Sequence, residues 1–127
     1  MTKTAEEFIE SKISSVINSE VSIKDISRTC KHYHKVVAVT YMKESINDEK
    51  VFEVQRREYL KTVYDDDGRS EIISNLKGDI YRIGYFMVAK IGEKRKGKWI
   101  WAQFTPMFWN DDLSNLMQKA KDEGTIL

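Results

Sequence analysis

The sequence predicts an α+β fold: an antiparallel β-sheet of about four or five strands packed with N- and C-terminal helices. Three observations carry this expectation. Apolar residues recur at three- and four-residue spacing near both ends, β-branched and aromatic residues fill the middle, and residues 80–105 read as a hairpin. The 127 residues are 41% hydrophobic, enough for one core, and no repeat or Pro/Gly/Ser-rich linker divides them. Residues 1–127 are therefore read as a single domain.

The first helix follows from Ala5, Phe8, Ile9, Ile13, Val16 and Ile17, which share one helical face. Thr4 and Glu7 have capping-box spacing, and Glu6 and Glu7 suit the positive end of the helix dipole. The helix is expected to end near Asn18. Residues 21–30 alternate loosely and fit a strand or a helical turn. Residues 35–42 are β-branched and apolar, as in a strand buried on both sides. Asn47, Asp48 and Glu49 read as a turn. Over residues 51–64, Phe52, Tyr59, Leu60 and Val63 fit a helical face, whereas Asp65, Asp66, Asp67 and Gly68 look like a hairpin turn. The later half of that stretch is read as strand.

Beyond the turn at Gly78 and Asp79, residues 80–91 form a predicted strand. Residues 92–97 reverse the chain, and residues 98–105 return as its partner until Pro106, which has no N–H to give a ladder. Asn110 is the predicted N-cap of the last helix, with Asp111 and Asp112 in its first turn. Leu113, Leu116, Met117 and Ala120 make its apolar face, Lys119 and Lys121 suit its C-terminal end, and Gly124 is the expected C-cap.

The predicted hairpin carries the functional expectation. Tyr81, Ile83, Tyr85, Met87, Ala89 and Ile91 alternate with Ile80, Arg82, Gly84, Phe86, Val88 and Lys90. Trp99, Trp101, Gln103 and Thr105 alternate with Ile100, Ala102 and Phe104. No set is a clean polar face, so both sides of the hairpin need a cover: the chain's own helices, a ligand or a second copy. Trp99, Trp101, Gln103 and Tyr85 are the candidate ligand- or partner-binding residues. The expected function is a non-enzymatic binding module for a protein or small molecule, possible as a homodimer, using this aromatic face.

Lys94, Arg95, Lys96 and Lys98 give the alternative, a basic hairpin tip beside two stacking platforms for unpaired bases. Against it, 21 Lys and Arg nearly cancel 20 Asp and Glu, leaving a net charge of +1 and no general field for nucleic acid. A small enzyme or ligand carrier with an internal pocket is the other alternative.

Specific chemistry is sparse. Cys30, His32 and His34 would point to one side of an extended strand and are suitable zinc donors. No fourth donor is evident and Lys31 and Lys35 oppose a dication, so the expectation is no bound metal. A catalytic Cys–His pair lacks an oxyanion-hole motif. Asp65, Asp66, Asp67 and Glu71 miss the calcium-loop spacing and read as a solvated turn. No P-loop, Rossmann or nucleophile-elbow string occurs, and no cofactor is expected. One cysteine permits no intramolecular disulfide, which suits a reducing compartment. No secretory signal is expected, and the longest apolar runs, residues 36–39 and 85–89, are far below the roughly 20 a spanning helix needs. A soluble, cytoplasmic protein is expected.

Overall fold

The computed structural model describes every residue except Ile26, Arg28 and Gln103. The elements are α1 (Ala5–Val16), β1 (Glu20–Lys24), β2 (Cys30–Glu44), β3 (Asn47–Tyr64), β4 (Ser70–Glu71), a 3-10 turn (Ser74–Leu76), β5 (Asp79–Val88), β6 (Trp99–Ala102) and α2 (Asp112–Asp122). The fold is α+β, as predicted. Five antiparallel strands run in the order β1-β2-β3-β5-β6, and the short β4 adds a sixth by pairing with β3.

α1 starts at the expected capping box: the Glu7 N–H donates to Thr4 Oγ1 at 3.2 Å and the Thr4 N–H to Glu7 Oε1 at 2.9 Å. Past its end, Asn18 adopts a left-handed φ of 69°, which asparagine tolerates. α2 begins later than predicted. Its N-cap is Asp111, because Asn110 is itself left-handed at φ 42° and turns the chain into the helix. Gly124 (φ 77°) closes it, with the Thr125 and Ile126 N–H groups both donating to the Ala120 carbonyl.

The ambiguous stretch 51–64 is strand throughout, within an 18-residue β3 at the centre of the sheet. The turn before it also moves: Glu44 pairs with Asn47, so the reversal is the two-residue loop Ser45-Ile46 rather than Asn47 to Glu49. The helix-like spacing in β3 has a sheet-based cause. The β2–β3 register skips Val37 on one strand and Leu60 on the other. Each such bulge bends the ladder and shifts the in/out alternation by one residue, so period-2 patterning is lost along the strand while the sheet curls.

One helix lies on each face of the curled sheet. On one side Ala5 and Phe8 of α1 pack with Tyr41, Val51 and Phe86. On the other, Leu116 and Ala120 of α2 pack with Phe52, Val54, Tyr85 and Ala102. Val51 and Phe52 are neighbours in β3, so they point to opposite faces. Both predicted helical stripes are shorter in practice, for Ile13 and Leu113 are exposed. No described helix is long and apolar enough to cross a membrane.

Candidate functional site

The hairpin is shorter than its sequence pattern, with β5 ending at Val88 and β6 at Ala102; Gln103 lies outside the described residues. Its register pairs Phe86 with Trp101 and Tyr85 with Ala102. Directly paired residues share a face, so Trp99 and Trp101 lie on the α1 side and Tyr85 on the α2 side. These three do not form one site.

The chain's own residues cover much of the two indoles. Phe8 stacks on Trp99 at 4.6 Å between ring centroids, and Trp99 Nε1–H donates to the Lys3 carbonyl at 2.9 Å. Trp101 meets Phe86 edge-on at 5.1 Å, and the Arg82 guanidinium lies 4.2 Å from the centre of its ring. Its far edge rests on Gly84, where an added Cβ would fall 2.0 Å from Cη2. Gly84 is thus a close-approach glycine. Gly84→Ala is expected to lower unfolding free energy by about 1–3 kcal/mol, by driving the indole off its seat. Urea titration checks the loss, and a change in tryptophan emission checks its cause.

The largest apolar side chains in water follow β6 instead. Phe104, Met107 and Trp109 are 78%, 76% and 54% exposed. Between them Phe108 turns inward and stacks on the fully buried Phe52 at 4.5 Å, pinning the segment to the core. Beside it lies a cleft of about 420 Å³ bordered by Tyr85, Thr105, Met107, Phe108 and Trp109, with Lys50 at its rim. Lys50 pairs with the buried Glu44 carboxylate at 2.7 Å and sits 4.7 Å from the Tyr85 ring centre. β6 is the last strand of the sheet, and among the described residues no backbone hydrogen bond reaches it from the side away from β5. Lys94, Arg95, Lys96 and Lys98 stand exposed at the adjoining tip, as predicted for a basic loop. The sequence places Phe104 and Thr105 in the strand that stops at Pro106 and assigns no element to Met107, Phe108 and Trp109. Their signal was an aromatic-rich run with neither helical nor strand periodicity.

A polar row crosses the α1 face of β2, β3 and β5. Tyr41 donates to Glu53 Oε2 at 2.7 Å, and Arg82 reaches Glu53 Oε1 at 2.5 Å. Burial, reinforced by the Glu53 charge, holds the Tyr41 phenol well above its ordinary range. Arg57 Nε–H donates to Gln55 Oε1 at 2.8 Å, and burial followed by the Arg82 charge lowers its pKa.

The row ends at the three metal candidates, which do share the α1 face through their alternation along β2. The structure nevertheless separates them. His34 is buried beside the Tyr59 ring, its pKa lowered by burial and then by Arg57, and its Nδ1 has no hydrogen-bond partner among the described residues. Cys30 and His32 are joined instead by Asp25, which is not among the donors that strand alternation points to. The three potential ligand atoms lie within 4.8 Å of one another. Cys30 Sγ is 3.2 Å from Asp25 Oδ2 and 4.0 Å from His32 Nε2. Burial, then Asp25, pushes the Cys30 thiol upward, so as it stands it is a thiol rather than a nucleophilic thiolate. Lys31 alternates to the opposite face and is exposed, so its charge is turned away. Asp65, Asp67 and Glu71 pair with Lys24 and Arg69 around an exposed turn, as expected.

These features define the class: an α+β domain with a curled antiparallel sheet, a helix on each face, an aromatic cluster around its last strand and a Cys/His/Asp triad at the far end of β2. No protein-family model, curated protein or solved structure matches the chain.

Proposed function

We propose that this chain is a non-enzymatic binding module that takes an extended segment of a protein partner along the outer edge of β6. The observation that carries the reading is the segment Phe104–Trp109, which holds three large apolar side chains in water while Phe108 anchors it to the core. Apolar groups presented on a fixed backbone lose little entropy on binding, which favours contact formation. The outer edge of β6 offers backbone groups to an added strand, the mode in which main-chain bonds supply affinity and flanking pockets supply selectivity. The basic tip adjoins that edge, so the segment it suits is acidic and apolar in alternation. The apolar surface of this reading lies at Phe104, Met107 and Trp109, and Trp99 and Trp101 help to support the strand that precedes it.

The probe is a labelled synthetic peptide alternating valine and glutamate, with a valine–lysine peptide as its counterpart. The acidic peptide is expected to bind saturably and the basic one to bind at least tenfold more weakly. Phe104→Ser with Trp109→Ser is expected to cost at least tenfold in affinity while shifting stability by only about 1 kcal/mol in total. Absence of binding by either peptide at millimolar concentration would reject the reading. A concentration-dependent doubling of molar mass, reversed by Phe104→Ser, would place a second copy of the chain at this edge. Salt-sensitive binding of single-stranded nucleic acid, lost on neutralising Lys94, Arg95 and Lys96, would replace the reading with nucleic-acid binding.

A further inference from the structure

We infer that Asp25, Cys30 and His32 form a binding site for a zinc-class divalent transition metal, at the opposite end of β3 from the β6 edge and independent of what binds there. The donor set is the first argument. A thiolate, a neutral imidazole and a carboxylate are the three side-chain donors zinc takes, and three protein ligands leave one tetrahedral position open. Ordinary zinc bond lengths of about 2.0–2.3 Å place tetrahedral donors roughly 3.3–3.6 Å apart. Here sulfur to oxygen is 3.2 Å, sulfur to nitrogen 4.0 Å, and all three atoms fall within 4.8 Å. Shifts of about an ångström, within reach of side-chain rotation, would bring them to that spacing.

The second argument is orientation by groups outside the cluster. His32 Nδ1 lies 2.8 Å from Thr62 Oγ1, which is 2.7 Å from the Tyr59 hydroxyl, and that hydroxyl accepts the Ile73 N–H at 3.1 Å. The Thr62 hydroxyl can donate or accept, and in the tautomer where Nδ1–H donates to it the lone pair of His32 is on Nε2, the atom turned towards Cys30. Metal-bound histidines are commonly fixed in this way by their second nitrogen. Asp25 is held in place as well: Oδ1 accepts from the Ser27 hydroxyl at 2.7 Å and the Thr29 N–H at 3.3 Å, and Oδ2 accepts from the Cys30 thiol at 3.2 Å. Thr62 and Cys30 are buried and belong to neighbouring strands paired in register, so the histidine and the thiol are held by the sheet. Asp65 adds a second carboxylate nearby, paired with Lys24 at 2.6 Å.

Binding replaces the thiol proton: the S–H bond breaks, the proton leaves to solvent, and the sulfur lone pair forms the bond to the metal with no change of oxidation state. The test is cobalt(II) titration of the full chain, freed of metal and kept reduced with a phosphine. The expected result is a 1:1 endpoint with thiolate-to-cobalt charge-transfer absorption and four-coordinate visible bands, both abolished by one equivalent of zinc. Cys30→Ser is expected to remove the charge-transfer band. Asp25→Asn, which removes a ligand, should weaken binding by more than about 100-fold, and Thr62→Val, which frees the histidine ring, by about 10- to 100-fold. His34→Gln should leave the spectrum unchanged. Because Cys30 is buried and its replacement can unfold the chain, Asp25→Asn supplies a second readout: zinc should raise the melting temperature of the parent chain and not of this variant. No charge-transfer band at millimolar cobalt, or affinity unaltered in folded Asp25→Asn, would overturn the site.

Discussion

Phe52→Ala is expected to lower the free energy of unfolding by about 3–5 kcal/mol, the range for removing a buried aromatic ring. Phe52 is fully buried in the α2-side core, against Val54, Tyr85, Ala102, Leu116 and Ala120. It lies in the central strand, paired on both flanks, so the backbone has little freedom to collapse into the space the ring leaves. The ring is also the seat of Phe108, and through it the substitution reaches the proposed binding segment. Peptide affinity should fall with Phe52→Ala even under conditions where the domain remains folded. Phe108→Ala separates the two effects. It keeps Phe52 and frees the segment, so it should weaken the acidic peptide with a smaller loss of stability. Urea unfolding and peptide titration on both variants check this, and unchanged affinity in folded Phe108→Ala would show that anchoring is immaterial to binding.

Arg82→Met is expected to cost about 3 kcal/mol, the lower part of the range for breaking a buried ion pair. Glu53 is only 1% exposed, whereas the Arg82 side chain is about one-third exposed, so solvent already screens the cation and the upper part of the range is not expected. The loss comes from leaving a carboxylate in the sheet interior with the Tyr41 hydroxyl as its remaining donor. Methionine retains an apolar stem against Trp101, so the removed quantity is chiefly charge. The partner's identity gives the decisive comparison. Glu53→Gln in the Arg82→Met background removes the uncompensated charge and keeps an acceptor for Tyr41, so the double variant should be more stable than Arg82→Met alone. A double variant as unstable as the sum of the single ones would place the cost in lost contacts instead.

Much of the architecture was legible locally. The Thr4–Glu7 box, the apolar spacing of Phe8 and Ile9, and the Leu116–Ala120 stripe each act within one or two helical turns, and they predicted both helices. The strand content of the hairpin was legible for the same reason. The middle was not, because Val37 and Leu60 sit at bulges that break period-2 alternation, so residues 51–64 imitate a helical face while lying in the central strand. The candidate site divided similarly. Alternation correctly put Cys30 and His32 on one side of β2, but Asp25 reaches them only through the turn that follows β1, where the Asp25 N–H donates to the Cys30 carbonyl at 3.1 Å.

What the sequence determined by itself was the class of fold, the two terminal helices and the presence of an aromatic hairpin with a basic tip, all set by the chemistry of near neighbours. Tertiary structure alone decided that Trp99 and Trp101 meet Phe8, Gly84 and Arg82, while Phe104, Met107 and Trp109 are left in water. Aromatic residues carry the same transfer free energy wherever they occur along a chain. Which of them is buried depends on strand register and on where a helix lands, and both are fixed by contacts between residues dozens of positions apart.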